Sequence, residues 1–256
     1  MGTGSAKNNA SIVVDSNFPG GNSVVESIEH ENGIVSLHQD LHDTSARWFY
    51  WYFRVRGAEG RTITFKFTNG KVIGKNGPAV SNDKGKSWRW LGERDVISDS
   101  FSYTFGNDER CVRFCFSIPY VESNLTDFLC RFLDNPFLRV GELCYTEQNR
   151  PIELMRFGSV EREPAFRVIF TARHHCCEMI ANFVLEGIIA TVLEGNSEEA
   201  IWLRNNVECM AVPFLDKDGV ENGDQGKNRI PHDHNRDYDY ERYASVRALK
   251  QTISMW

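Results

Sequence analysis

His175 and Glu178 are the side chains whose types and spacing most directly suggest chemistry. A neutral imidazole and a carboxylate three residues apart can reach one cation from a single turn. A hydrolytic zinc takes three protein ligands and keeps a fourth position open for water. The pair lies in FRVIFTARHHCCEMIANFVLEGIIATVLE, residues 166–194. The apolar run Phe166 to Phe170 reads as a buried strand, broken at Thr171 by a polar turn holding Arg173, His174, His175 and Glu178. A helix follows, with Ile180, Phe183, Val184, Gly187 and Ile188 at three- and four-residue steps along an apolar face. The pair would then stand at the carboxyl end of a strand, where ligands bind in open α/β sheets. A plainer reading is also open: Glu178 favours a helix N-terminus and His175 packs.

A second stretch, residues 208–240, reads ECMAVPFLDKDGVENGDQGKNRIPHDHNRDYDY. Glu208 to Leu215 is a strand, followed by turn chemistry at Asp216, Lys217, Asp218 and Gly219. A long loop then leads to Asp233, His234, Asn235 and Arg236. Together the two stretches resemble the zinc metallocarboxypeptidase family, closest to its cytosolic-carboxypeptidase-like branch. That pattern is strand, Ala-Arg-x-His-Pro-Gly-Glu, helix, then strand, Val-Pro-x-x-Asn-Pro-Asp-Gly-Val, loop, Asp-x-Asn-Arg. The matches are Ala172, Arg173, His175 and Glu178, then Val212, Pro213, Asp218, Gly219, Val220, Asp233, Asn235 and Arg236.

The resemblance implies a zinc ion held by His175 and Glu178, with Asp233 orienting the His175 imidazole. It implies that Asn235 and Arg236 clamp the free carboxylate of a peptide or protein C-terminus, by the paired hydrogen bonds a guanidinium makes. The implied activity is hydrolysis of a C-terminal peptide or isopeptide bond.

The chain also departs from the pattern. Cys176 and Cys177 replace Pro-Gly between the ligands and read as small packed residues. An oxyanion-stabilising Arg would fall at Gly226, which leaves Lys227 or Arg229 as substitutes, and Arg229 is taken as a substrate-binding residue. The family's third ligand (a His), a substrate-contacting Tyr and the general base (a Glu) do not follow before Trp256. The α/β domain is therefore expected to be incomplete at its C-terminus, and the chain by itself inactive. His232 and His234 read as solvated loop histidines. The rival reading is a non-catalytic protein that grips carboxylates on a degenerate peptidase fold.

The expected fold is two domains: an all-β sandwich over 11–119, then a metallocarboxypeptidase-type α/β domain with a mixed sheet and flanking helices over 120–256. Residues 1–10 read as a flexible tail. Ile63, Phe65 and Phe67 alternate with Thr62, Thr64 and Lys66, and Val112 to Ile118 repeats the pattern. The aromatic stretch Arg47 to Val55 reads as a strand that fills the sandwich core and an interdomain face. Tyr120 to Asp134 reads as a helix capped by Ser123 or Asn124, with Leu125, Phe128, Leu129 and Phe132 on one face. Leu138 to Cys144 and Ile152 to Phe157 form a hairpin, and Tyr243, Val246, Leu249, Ile253 and Trp256 trace a last helix.

The 256 residues carry a net charge of -6, which argues against a nucleic-acid or anionic-membrane partner. No apolar stretch is long enough for a membrane span. Seven cysteines, without a Cys-x-x-Cys pair, fit reduced thiols and a cytoplasmic location.

Overall fold

Alternating apolar and polar side chains build the first half of the chain. The structure, a computed structural model, describes residues 11–256, so the expected tail over 1–10 lies outside the described residues. Ten strands run in order: β1 (Val13–Asp15), β2 (Val24–Glu29), β3 (Ile34–His38), β4 (Tyr52–Arg56), β5 (Thr62–Phe67), β6 (Ala79–Ser81), β7 (Arg89–Trp90), β8 (Val96–Ile97), β9 (Ser100–Thr104) and β10 (Cys111–Cys115). They form two five-stranded sheets, β1-β4-β10-β6-β7 and β2-β3-β5-β9-β8. Every pairing is antiparallel except β3 with β5. The inward residues of both sheets, among them Val35, Phe53, Phe65, Phe101 and Phe114, make one buried cluster. Trp51, just before β4, is fully buried against Phe67 and donates its indole N–H to the Val72 carbonyl at 2.8 Å. The aromatic stretch therefore does serve the core, but only its second half is strand.

The chain divides into two compact units. One holds residues up to Asp40 and Phe49–Ile118, and the other holds Leu41–Trp48 and Pro119–Trp256. The eight residues Leu41–Trp48 thus belong with the second half, which alternation in the sequence does not reveal.

In the second unit, α1 (Glu122–Leu129) buries Leu125 and Phe128 and continues as a 3-10 turn (Cys130–Phe132) that buries Phe132. Its N-cap is Val121, upstream of the expected Ser123 or Asn124, and the Asn124 side chain accepts the Val121 N–H. β11 (Leu138–Tyr145) and β12 (Pro151–Gly158) form the hairpin. β13 (Phe166–Thr171), α2 (Ile180–Glu194), α3 (Glu198–Asn206) and β14 (Val207–Val212) form a parallel crossover. The sheet order is β11-β12-β14-β13, so β14 is central and all six of its residues are buried. Asp216 then N-caps α4 (Lys217–Asn222), where the sequence suggested only a turn. After a 3-10 turn (His234–Arg236), α5 (Ala244–Met255) buries Val246 and Leu249 but leaves Ile253 exposed.

Two expectations are corrected. β13 is not buried: it is an edge strand among the described residues, with Phe166 57% and Val168 39% exposed. The buried stripe of α2 is Asn182, Leu185, Ile189, Val192 and Leu193, while Ile180, Phe183 and Val184 face outward. This helix is apolar on most of its circumference, so periodicity alone could not choose the inner face. Polar Asn182 disguised the true one. Asn182 is buried because it is satisfied, donating to the Pro213 carbonyl at 2.8 Å and accepting from Arg173 Nη1 at 2.9 Å.

Candidate metal centre

Two strand exits are stitched together to make the site. Ala172 N–H donates to Val212 O, Leu215 N–H to Ala172 O, and Asp216 N–H to Arg173 O. Arg173 then adopts a left-handed backbone conformation, φ 62°, which turns the chain sharply off the end of β13. Its buried guanidinium becomes the hub of the turn, donating to the carbonyls of Cys176 and Tyr120 and to Asn182. His175 is buried at this turn, and Glu178, whose N–H donates to the His175 carbonyl, is exposed.

The His175 ring lies between two carboxylates. Its Nδ1 is 3.1 Å from Glu178 Oε1, and its Nε2 is 3.3 Å from Asp233 Oδ1. The Asp233 approach is close but not aligned as a hydrogen bond. A neutral imidazole has one N–H and one lone pair. If the N–H faces Asp233, the lone pair at Nδ1 faces the Glu178 oxygen, a repulsive contact that a shared cation or a second proton relieves. Two ligands on a four-coordinate zinc at bonds of about 2.0–2.1 Å stand about 3.3 Å apart. The pair therefore fits a shared metal ion, as two ligands of a set. No third metal-capable group joins them among the described residues, where the one cluster of three such side chains is His42, Asp43 and Asp224. Residues 1–10 contain no His, Cys, Asp or Glu.

Asp233 is itself fixed. Its Oδ1 accepts the Asn235 N–H at 2.8 Å and its Oδ2 the Asn228 N–H at 2.9 Å, so it caps the 3-10 turn that carries Asn235 and Arg236. Both of those side chains are exposed. Lys227 also reaches the site: its Nζ is 4.0 Å from Glu178 Oε1 and 4.7 Å from the centre of the Trp48 ring.

Arg229 lies elsewhere. Its guanidinium contacts Asp216, pairs with Asp224 at 2.9 Å and approaches Asp43 at 3.9 Å. Burial opposes its charge, and the three carboxylates override that to raise its pKa. Gly226 has φ 76°, and a Cβ built there would stand 2.5 Å from the Cys176 backbone nitrogen and 2.7 Å from its Sγ. No side chain fits at that position.

The two cysteines beside the pair and His174 are neutral. Burial pushes the Cys176 thiol well above its ordinary range and Cys177 up to about 12, the latter helped by Glu178. Both stay protonated and packed, and Cys176 donates to the Asp224 carbonyl at 3.0 Å. His174 is pushed down to about 4 by burial, then by His234 and His175, and its Nε2 meets the Tyr238 hydroxyl at 2.7 Å. His234 is not solvated as expected: it is buried and stacked 3.5 Å from Tyr243. His232 lies 3.1 Å from Asp237. Sequence reading missed Asp43 and the hub role of Arg173, since both depend on contacts between segments far apart in the chain.

Comparison with known proteins agrees with this architecture. Residues 14–116 match the family described as the cytosolic carboxypeptidase N-terminal domain. Cytosolic carboxypeptidase 3 of Mus musculus is 23% identical over 264 residues, covering 89% of this chain and 26% of that protein. Cytosolic carboxypeptidase 6 of Caenorhabditis elegans is 25% identical over 248 residues, covering 88% of this chain and 54% of its own length. The chain thus spans about a quarter to a half of these relatives. A metallo-carboxypeptidase from Burkholderia cenocepacia superposes with a TM-score of 0.82 at 22% identity, over 96% of this chain and 68% of that one. One from Pseudomonas aeruginosa, in complex with (2-guanidinoethylmercapto)succinic acid, gives 0.80 at 22% identity, over 95% and 66%. The chain is thus similar over residues 14–116 to the cytosolic carboxypeptidase N-terminal domain, and over most of its length to cytosolic carboxypeptidases and to the metallo-carboxypeptidase fold.

Proposed function

We propose that this chain forms the first part of a zinc metallocarboxypeptidase site that removes residues from free peptide or protein C-termini by hydrolysing a peptide or isopeptide bond. The observation that carries the reading is the His175 imidazole set between Glu178 and Asp233, at 3.1 and 3.3 Å, on the exit of a parallel strand. His175 and Glu178 hold the metal, which when bound supplies Lewis acidity for polarising a carbonyl. Asp233 keeps the ring oriented with Nδ1 towards Glu178. Arg236 and Asn235 take the substrate's terminal carboxylate and so set exopeptidase register. Lys227, beside Glu178, stabilises negative charge developing on the scissile carbonyl oxygen, a part that Gly226 cannot play and that Arg229, engaged with three aspartates, does not play. The relatives are named cytosolic carboxypeptidases, and on that ground we assign the protein to the cytoplasm.

The test pairs substrates with mutants. In a protein that contains this chain together with a third zinc ligand, Arg236→Lys lowers kcat/KM on peptides with a free C-terminus about tenfold or more, because an ammonium cannot make the two-bond fork. Amidated peptides, already poor, are unaffected. Unchanged selectivity for free over amidated termini would remove the clamp from the proposal. Two ligands favour a second reading for the 256-residue chain taken alone, that of a carboxylate-binding module without turnover. Steady turnover by that polypeptide with tight, stoichiometric zinc would overturn it.

A further inference from the structure

A second metal-capable cluster lies in the same unit, apart from the His175–Glu178 pair. One ring nitrogen of His42 and one carboxylate oxygen each of Asp43 and Asp224 all lie within 4.8 Å of one another. Both aspartates are buried, and His42 is exposed. We propose that these three residues bind a first-row divalent cation that clamps the Leu41–Trp48 segment to the Asp224–Lys227 loop. The proposal does not depend on the carboxypeptidase reading.

The carboxylates are not merely neighbours. Asp224 Oδ2 accepts from Arg229 Nη1 at 2.9 Å, but Asp224 Oδ1 has no hydrogen bond although the residue is only 4% exposed. That oxygen points at His42 Nε2, 3.6 Å away. The gap is too long for a hydrogen bond. Two ligands sharing one ion at bonds near 2.1 Å stand roughly 3.0–3.4 Å apart, and a small turn of the exposed His42 ring closes the difference. Asp43 is held rigidly, its Oδ1 accepting from Gln225 N–H at 3.1 Å and its Oδ2 from Gly226 N–H at 2.8 Å. Each oxygen keeps a further lone pair, since a carboxylate offers about four acceptor sites.

The charge balance points the same way. Asp43, Asp216 and Asp224 converge on one guanidinium, which leaves two negative charges in excess. Buried charge is costly unless it is paired. A divalent cation on the Oδ1 side, opposite Arg229, matches the excess. One imidazole and two carboxylates with open positions suit Zn2+ or Mn2+, whereas Ca2+ wants six to eight oxygens. The exposed ring supplies the entry route.

Zn2+ titration by calorimetry separates this site from the first. Glu178→Gln removes an exposed ligand of the His175 pair and leaves the new cluster intact. This variant of the 256-residue chain is expected to bind one equivalent of Zn2+, with a rise in its thermal midpoint. Adding His42→Ala, an exposed change that leaves the fold in place, lowers Zn2+ affinity tenfold or more and abolishes that rise. Absence of saturable binding in Glu178→Gln, or equal binding with and without His42→Ala, overturns the proposal.

Discussion

Gly226 shows how tightly single residues fix the site. Its left-handed backbone and its close approach to the Cys176 nitrogen forbid a side chain. Gly226→Ala is expected to cost about 1–3 kcal/mol from backbone conformation alone, and more from displacing the turn that carries His175. Urea unfolding measures it, and a midpoint equal to wild type would refute the close approach. The sequence already put a glycine where the family pattern has an arginine, but not the reason. Residue types and order made the closeness of His175, Glu178 and Asp233 legible, because the first two sit in a short motif at a strand end and Asp233 in a second motif further along the chain. The fate of Arg229 was not legible. Its partner Asp224 lies in the same loop, but Asp43 and Asp216 come from other segments, and nothing local to residue 229 records those two.

Elements were read well where one face is wet and the other dry, as in β5 and β10. They were misread where burial is uneven. α2 carries apolar residues on two sides, and β13 is an apolar run lying on an edge. Loops with turn chemistry were visible, and the one between β6 and β7 supports a prediction. Asp83 accepts from Ser81 Oγ at 2.8 Å, from the Lys86 and Ser87 N–H groups at 3.0 Å, and from Ser87 Oγ at 2.6 Å. These bonds, Ser87 foremost, hold its carboxyl well below the ordinary range. A depressed carboxylate stabilises the fold above the unfolded pKa of about 4, and that contribution is lost as the pH falls. Asp83→Ala should therefore cost about 1–2 kcal/mol at pH 7 and distinctly less at pH 3. Urea titrations at the two pH values check it, and an equal penalty at both would sink the argument.

At the scale of the molecule, the second unit exposes apolar side chains on both misread elements. Phe166 and Val168 on the β13 edge, and Ile180, Phe183 and Val184 on α2, are all exposed. An edge strand with apolar side chains is a template for pairing with another chain. The 256-residue polypeptide is therefore expected to self-associate as its concentration rises. Val168→Lys, a charge placed on the edge, should shift it towards monomer in sedimentation experiments. A wild-type chain that stays monomeric at high concentration would contradict this. The layered plan was legible in the sequence, from alternation in the first half and strand-helix-strand order in the second. The assignment of Leu41–Trp48 to the second unit was not, since only tertiary contacts such as that of Asp43 with Gly226 N–H establish it.

The placement of β14 sets a timetable for the second unit. Flanked by β12 and β13 and buried at every residue, its amides can exchange with solvent deuterium only when the whole sheet opens. Cys209 lies on that strand, its thiol pushed up to about 11 by burial and then by Glu208, while Cys130 lies exposed on the 3-10 turn after α1. A thiol reagent therefore reads two clocks in one molecule. Cys130 reacts at the intrinsic rate, and Cys209 reacts at that rate scaled by the fraction of molecules whose sheet has come apart.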